Sequence, residues 1–93
     1  MSEDNEKIIK FFKALANEER IEILKLLKKN EEMFAQDIER RFYLEQSTTS
    51  HHLNMLKRAG ITKARKQGRK IFYSIDYPSF KSLWDSFGAQ ILG

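Results

Sequence analysis

The fold follows from residues 46–75, which read Gln46-Ser-Thr-Thr-Ser-His-His-Leu-Asn-Met-Leu-Lys-Arg-Ala-Gly60 and then Ile61-Thr-Lys-Ala-Arg-Lys-Gln-Gly-Arg-Lys-Ile-Phe-Tyr-Ser-Ile75. The first half has apolar residues at helical spacing and ends at a glycine, a typical C-terminal cap, so it predicts a helix over about 46–59. In the second half the period changes to two, and Gly68 supplies the positive φ that a tight turn needs. This half predicts a β-hairpin over about 61–75.

The predicted helix has two chemically different faces when it is plotted at about 100° per residue. Thr49, Leu53 and Leu56 cluster on one side, which we expect to face the core. The other side and the N-terminal turn carry short hydroxyl and amide side chains, which can approach a groove floor and bond base edges or phosphates. We expect base-edge contacts from Gln46, Ser47, Thr48 and His51, and phosphate or mixed contacts from Ser50, Asn54 and Arg58. His52 is expected to be a partly buried structural residue that hydrogen-bonds locally.

Charge is strongly polarised along the chain, although the net charge is only +4. The thirty residues from Gln46 to Ile75 contain no Asp or Glu, but seven Lys or Arg and both histidines. A surface of one sign suits a polyphosphate, because each carboxylate would cancel a phosphate contact. The alternative is an ordinary solvated face. We expect double-stranded DNA as the partner, with phosphate contacts from the hairpin residues Arg65, Lys66, Arg69 and Lys70.

Helical periodicity predicts four further helices around this segment. The first follows an acidic, frayed leader, the second begins at the N-cap Asn17 and buries Ile21, Leu24 and Leu27, and the third spans residues 34–42. The last spans about 78–91. The last helix carries a wide apolar face, for which we expect core and dimer packing, although a ligand pocket among its aromatic residues is the alternative. In a homodimer we expect the first and last helices to form the seam, with Ile8, Phe11, Phe12, Phe80, Leu83, Trp84, Phe87 and Ile91.

Composition excludes several classes of protein. The chain has 93 residues, enough for a single small domain over 1–93, and no apolar run long enough to cross a bilayer. Its acidic start is unlike a secretion signal, so we expect a soluble cytoplasmic protein. Without cysteine, only His51 and His52 offer nitrogen ligands, and adjacent helical residues cannot easily share one ion. No nucleophile, base and orienting group occur together, so we expect neither an enzyme nor a cofactor.

Three motifs make the chain resemble the ArsR/SmtB family of dimeric bacterial and archaeal repressors. They are Leu15-Ala-Asn-Glu-Glu-Arg-Ile-Glu-Ile-Leu24, Gln46-Ser-Thr-Thr-Ser-His-His-Leu-Asn-Met-Leu56 and Arg65-Lys-Gln-Gly-Arg-Lys-Ile-Phe-Tyr-Ser74. The resemblance implies a mostly α, α+β winged helix-turn-helix with the order α-α-α-α-β-β-α, dimerised through its first and last helices. Departures from the family pattern are Glu45 for a capping Ser or Thr, Thr49 for an aliphatic residue and Phe72 for a Tyr.

The metal ligands of the family have no counterpart in this sequence. Where metal-sensing relatives carry a segment like C-V-C-D-L, this chain reads Phe34-Ala-Gln-Asp-Ile38. The positions that align with zinc ligands of the last helix are Tyr77, Ser79, Gln90 and Gly93. Soft divalent ions need thiolate or imidazole ligands, so we expect no metal site.

These observations together predict a homodimeric transcriptional repressor that binds an inverted-repeat operator without metal sensing. A prokaryotic, archaeal or viral origin suits this type of protein. Two alternatives remain, a winged-helix module that docks an acidic protein and an architectural protein that binds any DNA duplex. The sequence identifies no small-molecule effector.

Overall fold

The computed structural model describes residues 3–93 of the chain. Its elements are α1 (Glu3–Leu15), α2 (Glu18–Asn30), β1 (Glu32–Phe34), α3 (Ala35–Phe42), α4 (Gln46–Arg58), β2 (Thr62–Gln67), β3 (Lys70–Ile75) and α5 (Tyr77–Leu92). The predicted winged helix-turn-helix is confirmed, with one strand added. Residues 3–6, predicted as part of a frayed leader, belong to α1, and Met1 and Ser2 of that leader lie outside the described residues. Among the described helices, none is both long and apolar enough to cross a membrane.

The sheet has three antiparallel strands in the order β1-β3-β2. The hairpin of β2 and β3 was predicted, but β1 was not, and it takes Phe34 from the predicted start of α3. Phe34 pairs with Phe72 in the register of β1 and β3. A three-residue strand is too short to show a period, and it forms because β3 offers a free edge for hydrogen bonding.

The predicted caps are confirmed. The Asn17 side chain accepts a hydrogen bond from the Arg20 amide at 3.0 Å and so begins α2. Gly60, at φ +78°, ends α4 in a Schellman motif, in which its amide bonds the Lys57 carbonyl and the Ile61 amide bonds the Leu56 carbonyl. At the tip of the hairpin Gly68 has φ +62°, as a tight two-residue turn requires.

The core lies between α1, α2, α3, α4 and the start of β2. Its fully buried side chains include Phe11, Ile23, Leu27, Ile38, Leu53, Leu56 and Ile61. The predicted stripe of α2 is partly wrong, because Ile21 is 40% exposed whereas Arg20 and Ile23 are buried. The helix is rotated so that the Arg20 guanidinium reaches carbonyl groups at the end of α1.

The two helices predicted to form the dimer seam differ in burial. Phe11 is fully buried in the protomer core and leaves no surface for a partner, which corrects its predicted place in the seam. Ile8 is 8% exposed and has little surface left. In contrast, α5 contains no buried residue, and its Trp84 and Ile91 are 54% and 66% exposed. The apolar surface that needs a partner is therefore mainly on α5.

Thr49→Val should stabilise the protein by about 1 kcal/mol. Thr49 is 1% exposed, and its hydroxyl has no hydrogen-bond partner in the structure. Valine has the same shape and removes the cost of burying an unpaired hydroxyl. The measurement is denaturant unfolding at one protein concentration, with Thr48→Val as the matched control on the same helix. Equal stability changes in the two variants would contradict this explanation.

Candidate nucleic-acid interface

The outer face of α4 is open to solvent along its whole length. The residues predicted to contact DNA are exposed, except Thr48, which is half-buried; they are Gln46, Ser47, Thr48, Ser50, His51, Asn54 and Arg58. The opposite face is buried and consists of Thr49, His52, Leu53 and Leu56. The predicted separation into a polar and a core-facing side is thus observed. The polar side combines donors and acceptors on short side chains, which suits close approach to base edges.

The N-terminus of α4 has no side-chain cap. Glu45 occupies the N-cap position, but its side chain accepts no hydrogen bond from the first turn. The Thr49 amide bonds the Glu45 carbonyl, which leaves the amides of the preceding turn without intrahelical acceptors. Free amides at the positive end of a helix dipole bind phosphate oxygens. Because Glu45 replaces the capping Ser or Thr of the family, the backbone amides of the first turn, next to the side chains of Gln46 and Ser47, stay free to donate to a phosphate.

A buried arginine fixes the position of α4 against the first two helices. The Arg20 side chain is bound at three points: its Nε donates to the Ala14 carbonyl at 2.7 Å, its Nη2 to the Lys13 carbonyl at 3.2 Å, and its Nη1 lies 3.1 Å from His52 Nδ1. The last contact joins α2 to α4. His52 is buried as predicted, but its partner is 32 residues away, so the expected local hydrogen bond is wrong. No pattern in the sequence indicated this pairing, although Arg20 is the arginine of the first motif.

The contact with Arg20 determines the tautomer of His52. A guanidinium only donates, so His52 Nδ1 must accept and the hydrogen must lie on Nε2. That Nε2 lies 3.7 Å from Glu19 Oε1 and has no hydrogen-bond partner. Burial lowers the pKa of His52 below its ordinary value of 6.5, and the charges of Arg20 and His51 lower it further, whereas Glu19 opposes them. The neutral imidazole is therefore part of the folded structure.

Stability should fall as the pH is lowered from about 7.5 to about 5.5 because His52 must stay neutral in the fold. The pKa of His52 in the unfolded chain is near 6.5, and its pKa in the folded chain is lower. Between these two values the unfolded state binds more protons, so acid favours unfolding, and the effect levels off below the folded pKa. Unfolding curves across this range measure it. His52→Gln should flatten the pH dependence, and His51→Gln should keep it; identical behaviour of both variants would contradict the assignment.

The hairpin of β2 and β3 extends a cationic tip into solvent. Lys66, Arg69 and Lys70 are exposed there, and none of them has an ion-pair partner among the described residues. Lys70 lies over the ring of Phe34, with its ammonium 5.2 Å from the ring centre. Such a contact holds the aliphatic stem of a lysine while its charge stays in water. The tip can therefore present three cations to a phosphate backbone.

Arg65 differs from the other cations of the hairpin because a carboxylate already binds it. Its Nε and Nη2 donate to the two oxygens of Glu32 at 2.7 Å and 2.6 Å, and its Nη1 donates to Gln67 at 2.8 Å. The guanidinium also lies 4.8 Å from the centre of the Phe72 ring. The hydrogen bond from Arg65 lowers the pKa of Glu32 below 4.5. The unpredicted strand β1 thus brings a carboxylate into a region that contains none in sequence.

The residues that align with metal ligands of the family do not form a ligand set in this chain. Within the part of the chain that the structure describes, no three His, Cys, Asp or Glu side chains could hold a metal ion together. Tyr77, at one aligned position, is 51% exposed and stacks with the ammonium of Lys28. The expected lack of metal sensing stays a prediction.

Comparisons with known proteins identify the family. Residues 17–63, half of the chain, match the model of the arsR family of bacterial regulatory proteins. An uncharacterised HTH-type transcriptional regulator of Methanocaldococcus jannaschii is 48% identical over 73 residues, which cover 78% of this chain and 82% of that protein. The transcriptional repressor SdpR of Bacillus subtilis is 40% identical over 65 residues, which cover 70% of this chain and 71% of that protein.

Solved structures agree with this result. The fold matches HlyU from Vibrio cholerae with a TM-score of 0.73 and 30% identity, covering 100% of both chains. It also matches the homodimeric winged helix-turn-helix DNA-binding domain Mb0332 from Mycobacterium bovis with a TM-score of 0.74 and 27% identity, covering 95% of this chain and 83% of that one. The fold agrees with the family model and with the relatives, which show that the chain belongs to the arsR family of bacterial regulatory proteins.

Proposed function

We propose that this protein is a homodimeric transcriptional repressor that binds double-stranded DNA at a specific operator. The observation that carries the proposal is the two-sided character of α4, which buries one face in the core and exposes a face of hydroxyl, amide and imidazole groups. Attraction of an acidic protein needs only positive charge. A face rich in short donors and acceptors instead suits readout of base edges in a major groove.

The proposed roles follow the position of each side chain on the interface. The N-terminal half of α4 enters the major groove, with base-edge contacts from Gln46, Ser47, Thr48 and His51. Ser50, Asn54 and Arg58 make phosphate or mixed contacts. The exposed tip residues Lys66, Arg69 and Lys70 bind phosphates that flank the groove. Arg65 joins them only after it leaves Glu32.

The dimer brings two copies of α4 to one DNA site. The seam is formed by Phe12, Phe80, Leu83, Trp84, Phe87 and Ile91, with a minor contribution from Ile8. The proposal is supported by the exposed apolar surface of α5 and by the similarity to the homodimeric Mb0332 domain. Two-fold symmetry then requires an inverted-repeat operator with half-sites about 34 Å apart, or a multiple of that distance. Repression, rather than activation, is supported by the 40% identity to the repressor SdpR.

The experiment is selection of bound sequences from a random duplex library by the purified protein, repeated with added Zn²⁺ and with a chelator. An enriched inverted repeat, bound equally under both conditions, is the expected result. Enrichment of no sequence despite binding would favour architectural DNA binding, and no binding would favour a protein partner. Release by Zn²⁺ would contradict the metal-independent part of the proposal. A reporter gene placed behind the selected operator distinguishes repression from activation.

Glu32→Gln should strengthen DNA binding at low salt and steepen its salt dependence by about one unit per subunit. The carboxylate of Glu32 occupies two donor positions of Arg65 that a phosphate would otherwise use. Glutamine cannot neutralise the guanidinium, so each subunit gains one effective phosphate contact. Affinity measured over a range of salt concentrations tests this.

Glu31→Gln is the matched control for that prediction. Glu31 is the neighbouring residue, it is exposed, and it forms no ion pair with Arg65. Glu31→Gln therefore changes the net charge by the same amount as Glu32→Gln, but it leaves Arg65 bound to Glu32. The same steepening in both variants would show that overall charge, and not release of Arg65, is responsible.

A further inference from the structure

An open pocket of about 540 Å³ lies between α1, the C-terminal end of α4 and α5. Its floor is apolar and includes Ile8 and Ala59, each 8% exposed. The volume is in the range of sites that bind small molecules. The pocket is distinct from the outer face of α4, but Arg58 belongs to both.

The walls of the pocket carry donors from three separate elements. Lys7 and Lys10 extend from α1, Arg58 from α4, and a row of hydroxyls from α5 faces them, namely Ser79, Ser82 and Ser86. Among the described residues none of these three cations forms an ion pair. Asp4 is the single carboxylate of the lining, so the pocket has a net charge of about +2 at neutral pH. Ammonium, guanidinium and hydroxyl groups around one space form the donor set that a phosphate group requires.

The proposed dimer seam borders this pocket, because Ile8 and Leu83 belong to both, but the hydroxyls of the pocket lie on another side of α5. Serines at positions 79, 82 and 86 recur at spacings of three and four, so they form one stripe along α5. At about 100° per residue, the centre of that stripe lies about 130° from the centre of the stripe of Phe80, Trp84 and Phe87, and Leu83 lies between the two. A partner that covers the aromatic stripe therefore does not have to cover the hydroxyls.

The pocket is also joined tightly to the recognition helix. A Cβ atom added at Gly60 would meet Ser79 Oγ at 2.8 Å, so the start of α5 rests directly on the end of α4. Arg58, the last residue of that helix, lines the pocket. An anion held in the pocket would engage the guanidinium that the proposed function assigns to the DNA backbone.

We propose that this pocket binds a small phosphorylated molecule, and that the bound anion weakens DNA binding by withdrawing Arg58. The second half of this inference rests on the proposed function, and the first half does not. A phosphate of the DNA backbone has the same chemistry. The concave shape and the size of the pocket favour a free ligand, because a backbone phosphate needs only a few donors on an open surface.

The test uses pyrophosphate as the probe, with sodium chloride at equal ionic strength as the reference. Amide NMR spectra of the protein without DNA should show saturable shifts at Arg58, Gly60 and Ser79, with a Kd near or below about 1 mM. The double variant Lys7→Gln/Lys10→Gln should lose these shifts. Lys13→Gln/Lys29→Gln removes two exposed lysines outside the pocket and should keep them. Shifts that do not saturate, or that spread equally over the hairpin cations, would overturn the proposal.

A second measurement separates ligand binding from the proposed function. Pyrophosphate should weaken binding of the wild-type protein to its selected operator by about tenfold, and should not affect Lys7→Gln/Lys10→Gln. If the wild-type protein binds pyrophosphate but no operator, the ligand site stands and the proposed function fails. The opposite result is that Lys7→Gln/Lys10→Gln binds DNA more weakly and with less salt dependence, while the NMR shifts with pyrophosphate do not saturate. In that case these lysines contact the DNA backbone and the ligand proposal is wrong.

Discussion

Trp84→Glu combined with Ile91→Glu should convert the protein to a monomer and weaken operator binding by at least about a hundredfold. These side chains are 54% and 66% exposed on a helix without a single buried residue. In the proposed dimer they are covered by the same surface of the partner. Two carboxylates placed there would face their symmetry mates in an apolar seam, which costs far more than the lost contacts.

The loss of DNA affinity follows from the loss of the dimer. In a dimer, binding of the first half-site raises the effective concentration of the second recognition helix at its own half-site. A monomer has only one α4 and one hairpin to offer, although each should remain folded. Sedimentation equilibrium and operator titration measure the two effects, and circular dichroism checks the fold.

The matched control adds the same charge elsewhere on the same helix. Ala89 and Gln90 are exposed and lie outside the predicted seam, so Ala89→Glu/Gln90→Glu should remain dimeric and should bind the operator. A dimer that survives Trp84→Glu/Ile91→Glu would place the seam on another surface. Monomers that still bind the inverted repeat at full affinity would contradict the two-site model.

Arg20→Met should lower the free energy of unfolding by about 3 kcal/mol. Methionine fills a similar length of space, but it supplies none of the three contacts that the guanidinium makes with Ala14, Lys13 and His52. A buried polar group left without a partner costs about 1–3 kcal/mol, and at least the Ala14 carbonyl and His52 Nδ1 would lose theirs. Denaturant unfolding at one protein concentration measures the loss.

Lys25→Met is the control for this variant because it replaces a cation by methionine on the same helix. Lys25 is exposed and, among the described residues, pairs only with Glu22, at 3.4 Å, so its loss should change stability by less than about 0.5 kcal/mol. Combining Arg20→Met with His52→Gln tests the contact itself, because coupled residues give non-additive changes. A loss below about 1 kcal/mol in Arg20→Met would mean that α4 is held mainly by apolar packing.

Features that depend on neighbouring residues in the chain could be predicted well. The two faces of α4 follow from a period of about 3.6 residues, so the burial of Thr49 and the exposure of His51 could be predicted from spacing alone. Gly60 and Gly68 both have the positive φ that their sequence context indicated. Residues 46–75, which contain no Asp or Glu, likewise include a cationic hairpin tip, because the basic residues of the tip are close together in sequence around one turn.

Contacts between distant parts of the chain could not be predicted in this way. No local pattern distinguishes Ile23 from Ile21 as the buried residue of α2, since both fit a helical stripe. Arg20 determines which isoleucine is buried, because its guanidinium can donate to carbonyls of α1 only in one rotation of α2. Similarly, Glu32 reaches Arg65 only because a three-residue strand pairs with the free edge of β3.

The sequence was thus sufficient for the family, the order of the helices and the hairpin, and the side of α4 that faces outward. The tertiary structure was needed to show that Arg65 is already neutralised, that Phe11 belongs to the protomer core, and that Lys7, Lys10 and Arg58 surround one pocket. The physical reason is the range of the interactions. Hydrophobic periodicity and capping act within a few residues, whereas ion pairs, core contacts and pockets join residues that only the packing of helices and strands brings together.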